Sequence, residues 1–308
     1  MTAAADKSIF ADEIAGILSA QAIFRRDEPM VKHTTLRVGG PAEVYVEPAD
    51  ENDLAAILKF CMARKIKFFV LGRGSNLLVR DGGFRGVVIC LAQPHFCRIE
   101  IVGETIRCGA GAKLKEVSIA AKRNDLSGLE FLEGIPGSVG GALRMNAGAM
   151  GGETFNFIES VQVMDFNGTI FEMSSKQMSV AYRTCGALKN HVALAAMFKC
   201  KPAPRDEIEA RMKTFSEKRW ASQPASPSAG CMFKNPATIP AGKLIDELGL
   251  KGMRVGGAMV SDEHGNFLVN DGKATAKDVL ELIGKLKAQA KAERGIELQT
   301  EVEIIGED

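Results

Sequence analysis

"GIPGSVGGALRMNAGAMGGE" (residues 134–153) places seven glycines among twenty residues and carries only two charged side chains. A glycine costs about 1 kcal/mol in a helix interior relative to alanine, and the stretch has few large side chains that could pack into a core. Glycines at this density need another physical reason. We therefore expect some group to approach this backbone more closely than side chains would allow.

A second glycine loop, "LGRGSNLL" (71–78), precedes this stretch. Neither loop has the GxxxxGK[ST] pattern, and "GRGSNL" has Leu77 where a third glycine would complete GxGxxG. The loops could simply be tight turns between packed elements. Consecutive glycines also expose N–H groups that bind anions, and Ser75, Asn76, Ser138 and Asn146 add uncharged donors. Two such loops favour a dinucleotide or a nucleotide diphosphate as the ligand.

The overall composition is that of a soluble globular protein of two or three domains. The chain has 308 residues, 46% hydrophobic and 25% charged, with a net charge of +1. A near-neutral balance argues against a nucleic-acid partner, and no apolar run reaches the length of a membrane span. The start, "MTAAADKSIF", lacks a basic region followed by an apolar core, so no signal peptide is predicted.

Cysteine and histidine usage predicts a reduced, metal-free protein. The seven cysteines are odd in number and include no CxxC pair, which is typical of free thiols in a cytoplasm. The four histidines are dispersed without metal-ligand spacing. The sequence therefore predicts a cytoplasmic protein without a bound metal.

Hydrophobic periodicity predicts an α+β fold. Helices are predicted over 50–65, with Asp50 as N-cap, and over 113–123, 206–221 and 277–294, the last ending at Gly295. Apolar runs at 66–72 and 85–91 predict strands of a small α/β unit with a partly parallel sheet.

The rest of the chain shows antiparallel patterns. Two alternating runs joined by Asn167-Gly168 predict a hairpin and an antiparallel α+β region. A long polar loop is predicted over 222–230, and a closing strand over 296–305, where apolar residues alternate with Glu297, Gln299, Glu301 and Glu303.

Six motifs in order carry a resemblance to a known family. They are "LGRGSNLLV" (71–79), "LSGLEFLEGIPGSVGGALRMNAGAMGGE" (126–153), "YR" (182–183), "AGCMFKNP" (229–236), "AGKLIDELGLKG" (241–252) and "LQTEVEIIG" (298–306). Together they resemble the UDP-N-acetylenolpyruvoylglucosamine reductases, the flavoenzymes that make UDP-N-acetylmuramate for peptidoglycan. The resemblance starts near His33, and the chain length and "SQP" loop resemble the subtype that lacks an extra tyrosine-bearing substrate loop.

The resemblance implies a vanillyl-alcohol-oxidase-type FAD-binding fold with a C-terminal substrate-binding domain. Residues 1–92 would form a small α/β FAD-binding subdomain, 93–203 an antiparallel α+β FAD-binding subdomain, and 204–308 the substrate domain. FAD would bind non-covalently, with NADPH as hydride donor. The implied FAD-binding residues are Gly72, Arg73, Gly74, Ser75, Asn76, Ile135, Pro136, Gly137, Ser138, Gly141, Asn146, Ala147 and Gly148.

The implied reaction delivers a hydride to C3 and a proton to C2 of the enolpyruvyl ether of UDP-N-acetylglucosamine. By motif position, Arg183 would polarise the substrate carboxylate and Glu301 would stabilise the enol-like intermediate. Cys231, where the family commonly has serine, would donate the proton. From the residues alone, a surface arginine is the favoured interpretation of Arg183. Glu301 could be a solvated glutamate and Cys231 a small buried residue.

The resemblance also implies a set of substrate-binding residues. They are Tyr182, Lys218, Arg219, Asn235 and Lys243. For Lys218 and Arg219, a solvated helix face explains the charges as well as the diphosphate of UDP does.

Two other functions remain open from the sequence. One is a non-catalytic nucleotide-sugar or FAD-binding protein of the same fold, which would have no use for Glu301 or a protic residue at position 231. The other is a flavin oxidase with a covalently attached cofactor, but neither His33 nor His95 lies in a recognisable attachment motif. The sequence does not define the oligomeric state, and a monomer is compatible with it.

Overall fold

The computed structural model describes residues 3–308, with side chains from Phe10 onward. The described chain forms two compact units, each built from separate segments. The first unit comprises the described residues through Arg26, Val44–Gly72 and Gly86–Glu217; the second comprises Asp27–Glu43, Arg73–Arg85 and Lys218–Asp308. The predicted division into 1–92, 93–203 and 204–308 stays a prediction.

Seven α-helices are found in residues 3–308. They are α1 (Ala3–Ile17), α2 (Glu51–Arg64), α3 (Leu114–Arg123), α4 (Val139–Met145), α5 (Arg205–Ser222), α6 (Ala241–Glu247) and α7 (Ala276–Arg294). Short 3₁₀ helices lie at Met30–Lys32, Pro94–Cys97, Glu130–Gly134, Thr154–Asn156, Ser175–Met178 and Ala187–Lys189. Each helix predicted from the sequence is confirmed to within one residue at either end. In the described part of the chain, no helix combines the length and the apolar character needed to span a membrane.

The strands of the first half of the chain are mostly short. They are β1 (Ile23–Pro29), β2 (Pro41–Glu47), β3 (Phe68–Leu71), β4 (Leu77–Val79), β5 (Phe84–Cys90), β6 (Ile99–Val102), β7 (Thr105–Gly109), β8 (Leu126–Ser127), β9 (Gly148–Ala149) and β10 (Gly152–Glu153).

The strands of the second half follow the glycine-rich stretch. They are β11 (Ile158–Asp165), β12 (Ile170–Ser174), β13 (Val180–Ala181), β14 (Thr184–Cys185), β15 (His191–Lys199), β16 (Lys201–Pro202), β17 (Ser228–Cys231), β18 (Arg254–Val255), β19 (Ala258–Val260), β20 (Phe267–Asn270) and β21 (Glu303–Ile305).

The first unit contains a five-stranded antiparallel sheet in the order β12-β11-β15-β7-β6. The predicted hairpin is confirmed as β11–β12, closed by a loop in which Gly168 has φ +81°. The Asp165 carboxylate accepts the N–H groups of Asn167 and Thr169 and so holds this loop. The middle of the chain is thus antiparallel because a turn with a left-handed glycine returns the strand directly.

The α/β character predicted for the start of the first unit is also confirmed. Strands β3 and β5 pair in parallel, Phe68 opposite Val87 through Leu71 opposite Cys90. Between β2 and β3, Asp50 caps α2 by accepting the N–H groups of Asn52 and Asp53. The side of α2 that is buried in the core carries the predicted apolar residues, among them Leu54, Ile57, Leu58 and Cys61.

The second unit packs α6 and α7 with an antiparallel sheet in the order β17-β20-β19-β18. Thr275 and Asp278 form a capping box at the start of α7, and Gly295 ends the helix at φ +64°. Asp81 accepts the N–H groups of Ala276 and Lys277. The first turn of α7 is therefore satisfied by side chains, and its long apolar face completes the core of this unit.

Two sequence-based predictions are wrong in the second unit. The closing strand predicted over 296–305 is regular only at Glu303–Ile305, which pairs in parallel with β4. Before that, residues 299–301 lie antiparallel to 232–234 through a single bridge, Phe233 to Thr300. Alternation of apolar and polar residues indicates which face of a strand is buried. It does not show that the segment pairs first with 232–234 and then with β4. The polar loop predicted over 222–230 is also shorter, because β17 begins at Ser228.

Candidate active site

Part of the glycine-rich stretch of the first unit is helical. Helix α4 follows Ser138, includes two of the seven glycines, and ends at Asn146, whose φ is +39°. The stretch tolerates helix here because Val139, Ala142 and Leu143 are buried in the core of the first unit. Packing therefore offsets the poor helix propensity of the glycines.

Gly72 and the start of the glycine-rich stretch meet in the first unit. A Cβ built on Gly72 would lie 2.8 Å from the Ser138 Oγ and 3.8 Å from the Gly141 Cα. Ser138 itself is buried. The start of the 71–78 glycine loop and the start of α4 thus lie close together, as a shared ligand site requires.

At several of these glycines, the closely approaching backbone belongs to the chain itself. In the second unit, Gly74 has φ +61° and its Cβ would lie 2.0 Å from the His33 carbonyl oxygen. In the first unit, a Cβ on Gly140 would lie 3.2 Å from the Ala110 carbonyl oxygen, and one on Gly148 would lie 2.8 Å from the Gly152 carbonyl oxygen. Chain packing explains glycine at these three positions.

Gly141 is different. Among the atoms of the first unit, a Cβ there would contact only the Ser138 Oγ, at 3.6 Å, which is an ordinary van der Waals distance. The residue is helical and has no positive φ, so neither strain nor packing within this unit requires glycine. This open backbone beside Gly72 and Ser138 fits a cofactor that lies against the helix, which is the position expected for FAD.

The backbone amides correct part of the anion-binding prediction. The N–H of Gly137 donates to the Ile135 carbonyl at 2.9 Å, that of Val139 to Ala112 at 2.9 Å, and that of Gly140 to Ala110 at 2.7 Å. The Gly137 amide is engaged by a local turn, and the amides of Val139 and Gly140 are engaged because the start of α4 is hydrogen-bonded to the segment between β7 and α3. The consecutive glycines therefore do not present a full row of exposed donors.

Asn146 also has a structural task. Its Nδ2 donates to the Glu153 carboxylate at 3.0 Å, and its Oδ1 accepts the Phe155 N–H at 3.2 Å. Next to it, the Ala147 carbonyl accepts both the N–H and the hydroxyl of Thr154. These bonds close the 146–155 loop after the helix and fix the end of the glycine-rich stretch.

Arg183 lies beside this end of the stretch. Strands β13 and β14 form a tight hairpin with Tyr182 and Arg183 at its turn, and Arg183 adopts φ +55°. One Nη donates to the Asn146 carbonyl at 3.4 Å, and the guanidinium lies 5.1 Å from the centre of the Tyr182 ring. A left-handed, non-glycine residue is uncommon, and here it carries a cation next to the predicted cofactor loop.

Cys231 and Glu301 come together in the second unit. Cys231 is the last residue of β17, and the carbonyl of the next residue, Met232, accepts the Glu301 N–H at 2.9 Å. Both predicted catalytic residues are half-buried. Seventy residues apart in sequence, they lie on neighbouring segments of one unit.

The 71–78 glycine loop also contacts the segments that carry Cys231 and Glu301. The Asn76 Nδ2 donates to the Glu301 carbonyl at 3.2 Å, and the Asn76 carbonyl accepts the Glu303 N–H at 3.1 Å. A Cβ on Gly230 would lie 3.9 Å from the Ser75 carbonyl oxygen. Ser75 and Asn76 therefore lie against the segments that carry Cys231 and Glu301.

The remaining predicted substrate residues lie on helices or at their ends. Asn235 accepts the N–H of Ala241 at the start of α6, and Lys243, exposed on that helix, pairs with Glu247 at 3.8 Å. Lys218 and Arg219 are near the end of α5; Lys218 is exposed, and the Arg219 guanidinium lies 5.8 Å from the Trp220 ring centre. Their substrate contacts stay predictions.

Sequence reasoning missed one buried polar residue beside Cys231. Asn266 is 2% exposed and hydrogen-bonds both the N–H and the carbonyl of Phe233, each at 2.8 Å. A single asparagine before the apolar run "FLVN" has no motif or spacing that marks it. Only the tertiary structure shows that Asn266 contacts the backbone next to Cys231.

Burial affects the other thiols in the chain. It raises the pKa of Cys61 and Cys200 to about 12 and that of Cys90 to about 11, and it also raises the pKa values of Cys97, Cys108 and Cys185. A thiol with a raised pKa supplies little thiolate, the form that reacts with alkylating agents. These six cysteines should therefore react slowly near neutral pH.

Comparisons with known proteins agree with this geometry. A family model described as a FAD binding domain matches residues 42–174, and one described as the C-terminal domain of UDP-N-acetylenolpyruvoylglucosamine reductase matches 223–305. A glucose dehydrogenase structure, 16% identical with a TM-score of 0.50, covers 73% of this chain and 52% of its own and shares the fold alone. The predicted vanillyl-alcohol-oxidase-type FAD-binding fold is confirmed.

More similar proteins extend over nearly the whole chain. The UDP-N-acetylenolpyruvoylglucosamine reductase of Clostridioides difficile (strain 630) is 44% identical over 297 residues, which is 96% of this chain and 97% of that protein. The crystal structure of the Thermus caldophilus reductase is 39% identical, covers 92% of this chain and 98% of its own, and has a TM-score of 0.80. The chain therefore belongs to the UDP-N-acetylenolpyruvoylglucosamine reductase family of FAD-dependent oxidoreductases.

Proposed function

We propose that this chain reduces the enolpyruvyl ether of UDP-N-acetylglucosamine to UDP-N-acetylmuramate, in the cytoplasmic synthesis of peptidoglycan precursors. NADPH is the hydride donor, and Cys231 is the proton donor. The observation that carries the proposal is the hydrogen bond that joins the segment of Cys231 to Glu301. A protic residue and a carboxylate on neighbouring segments suit a proton transfer, whereas binding alone requires neither.

The proposed cofactor site includes Gly72, Ser138 and Gly141 in the first unit, where the open face of α4 allows close approach. Bound FAD would supply the hydride transfer between NADPH and the C3 carbon of the substrate. The other residues proposed to hold it are Arg73, Gly74, Ser75, Asn76, Ile135, Pro136, Gly137, Asn146, Ala147 and Gly148.

Residues of the chain would stabilise the negative charge that develops on the substrate and would supply the proton to C2. As C3 gains hydride, the carbon–carbon double bond is lost and negative charge moves to C2 and the adjacent carboxylate. Arg183 would bind that carboxylate with its planar guanidinium, which stabilises the developing charge. Cys231 would then transfer its S–H proton to C2 as general acid, and solvent restores the thiol. Glu301 would stabilise the enol-like form beside it.

The UDP part needs further contacts. Tyr182, Lys218, Arg219, Asn235 and Lys243 are the proposed residues, since they supply cations and donors of the kind that a diphosphate and a sugar require.

The direct test follows the flavin colour of the purified protein. We expect a yellow protein that releases FAD on denaturation, bleaches with NADPH and regains colour on addition of the enolpyruvyl substrate, with formation of UDP-N-acetylmuramate. A protein that holds FAD and a UDP-sugar but regains no colour with the substrate would instead be a non-catalytic binder.

Gly141→Val tests the position of the cofactor. We expect at least about tenfold weaker FAD retention, roughly 1.4 kcal/mol, because the new side chain enters space that the first unit leaves open. Gly284→Val is the matched control: Gly284 is also helical, and a Cβ there has no atom within 4 Å. Flavin-to-protein absorbance and the Tm are measured for both. Full flavin content in Gly141→Val would place the cofactor elsewhere.

A further inference from the structure

The strand segment that carries Cys231 is irregular. Its pairing with β20 shifts register between Ser228 and Cys231, and Gly230 between them has φ +73°. The regular ladder ends at Cys231, which pairs with Phe267. The regular β17–β20 pairing therefore ends at the cysteine. The residues that follow it are held by the bridge to 299–301 and by contacts with Asn266.

The side chain of Asn266 hydrogen-bonds the backbone just after Cys231. Its Oδ1 accepts the Phe233 N–H and its Nδ2 donates to the Phe233 carbonyl, each at 2.8 Å. A side-chain amide has the same donor and acceptor as a peptide group, so it replaces one strand residue. Both polar groups of Phe233 are thereby fixed two residues after Cys231.

The main chain of Asn266 extends the same contact. Its carbonyl accepts the Met232 N–H at 2.7 Å, and its own N–H donates to the His264 Nδ1 at 3.1 Å. The Met232 carbonyl in turn accepts the Glu301 N–H at 2.9 Å. Three hydrogen bonds from one buried residue thus hold the dipeptide that lies between Cys231 and Glu301.

We propose that Asn266 is the positioning residue that sets the placement of Cys231 relative to Glu301, by fixing Met232 and Phe233 between them. This inference rests on the proposed function of those two residues. Asn266 does not act on the substrate directly. Its contribution is geometric, and geometry matters because a displacement of about 1 Å at a reacting group costs on the order of 10²-fold in rate.

Strand β20, which follows Asn266, supplies a matched control. Asn270 lies four residues further on and is also buried, at 4% exposure. Its Nδ2 donates to the Leu36 and Arg37 carbonyls, and its Oδ1 accepts the N–H groups of Gly272 and Ala274. The Asn270 side chain thus makes four hydrogen bonds to backbone, against two for Asn266, and none of its partners is next to Cys231 or Glu301.

The experiment compares Asn266→Ala and Asn266→Asp with Asn270→Ala and Asn270→Asp in the full-length, FAD-loaded protein. Aspartate keeps the shape and the acceptor but loses the donor to the Phe233 carbonyl. We measure the Tm, flavin reduction by NADPH, the maximal rate and half-saturating concentration of reoxidation by the enolpyruvyl substrate, and the rate at which iodoacetamide alkylates Cys231, by peptide mass spectrometry.

For both Asn266 variants we expect the maximal reoxidation rate to fall at least about tenfold. Half-saturation and NADPH reduction should change less than about twofold, and the alkylation rate of Cys231 should change several-fold. The Asn270 variants should lower the Tm comparably and leave both the reoxidation rate and the alkylation rate as in the wild type.

A purely structural role gives another pattern. If the Asn266 and Asn270 variants lose activity in proportion to their Tm, with Cys231 alkylation unchanged, the inference is overturned. Asn266→Asp decides the question if the alanine variant does not fold. Failure of the proposed function is separate: it appears as full reoxidation activity in Cys231→Ala, whereas the alkylation of Cys231 reports on Asn266 without any substrate.

Discussion

Cys231→Ala is expected to slow reoxidation of the flavin by the enolpyruvyl substrate about 10²- to 10⁴-fold, the usual contribution of a general acid. Reduction by NADPH should continue at the wild-type rate, because no proton reaches the substrate in that half of the reaction. Stopped-flow absorbance of the flavin separates the two half-reactions. Wild-type turnover in the alanine variant would show that Cys231 is not the proton donor and only packs in the structure.

Cys231→Ser is the conservative variant in this series. Serine is the common residue of the family at this position, so much of the lost rate should return. Iodoacetamide should inactivate the wild type, with protection by substrate, and leave the serine variant active. Cys185→Ala is the control, since Cys185 is near Arg183 in sequence, but burial raises its pKa and it should react slowly.

Arg183→Ala and Glu301→Ala are expected to lower the rate of the substrate half-reaction by about 10²- to 10³-fold each, the loss typical of removing a group that stabilises developing charge. Both should leave NADPH reduction nearly intact, because charge appears on the enolpyruvyl group only in the second half. Arg183→Lys should recover only part of the loss, since an ammonium keeps the charge but loses the planar pair of donors.

The control for the carboxylate is Glu297→Ala. Glu297 precedes Glu301 in the same segment but is exposed and paired with Lys291 at 2.7 Å, so its removal should have little effect. Equal losses in both half-reactions of Arg183→Ala or Glu301→Ala would mean that these residues support folding or flavin binding instead of the substrate chemistry.

Local chemistry made much of this fold predictable. As predicted from the sequence, Asp50 caps the start of α2, Gly295 ends α7, and the Asn167-Gly168 pair closes a hairpin. Caps and turns depend on residues within a few positions of each other, so one sequence contains all the information they need. The six ordered motifs likewise identified the family, because their order and spacing are properties of the chain itself.

Only the tertiary structure showed what each glycine is for. Gly74 and Gly141 look alike in sequence, yet the first lies against the His33 carbonyl and the second faces open space in its unit. A glycine in the sequence can indicate that another group approaches the backbone closely, but not whether that group belongs to the chain or to a ligand. The sequence at that position does not identify a contact with a distant segment.

The placement of the catalytic candidates was decided in the same way. The alternation in 296–305 indicated a strand but not its change of partner from 232–234 to β4, which brings Glu301 beside Met232. Nothing in the sequence marked Asn266. The sequence by itself determined the local elements and the family, whereas pairing between distant segments, which depends on packing of the whole unit, decided which residues meet at the site.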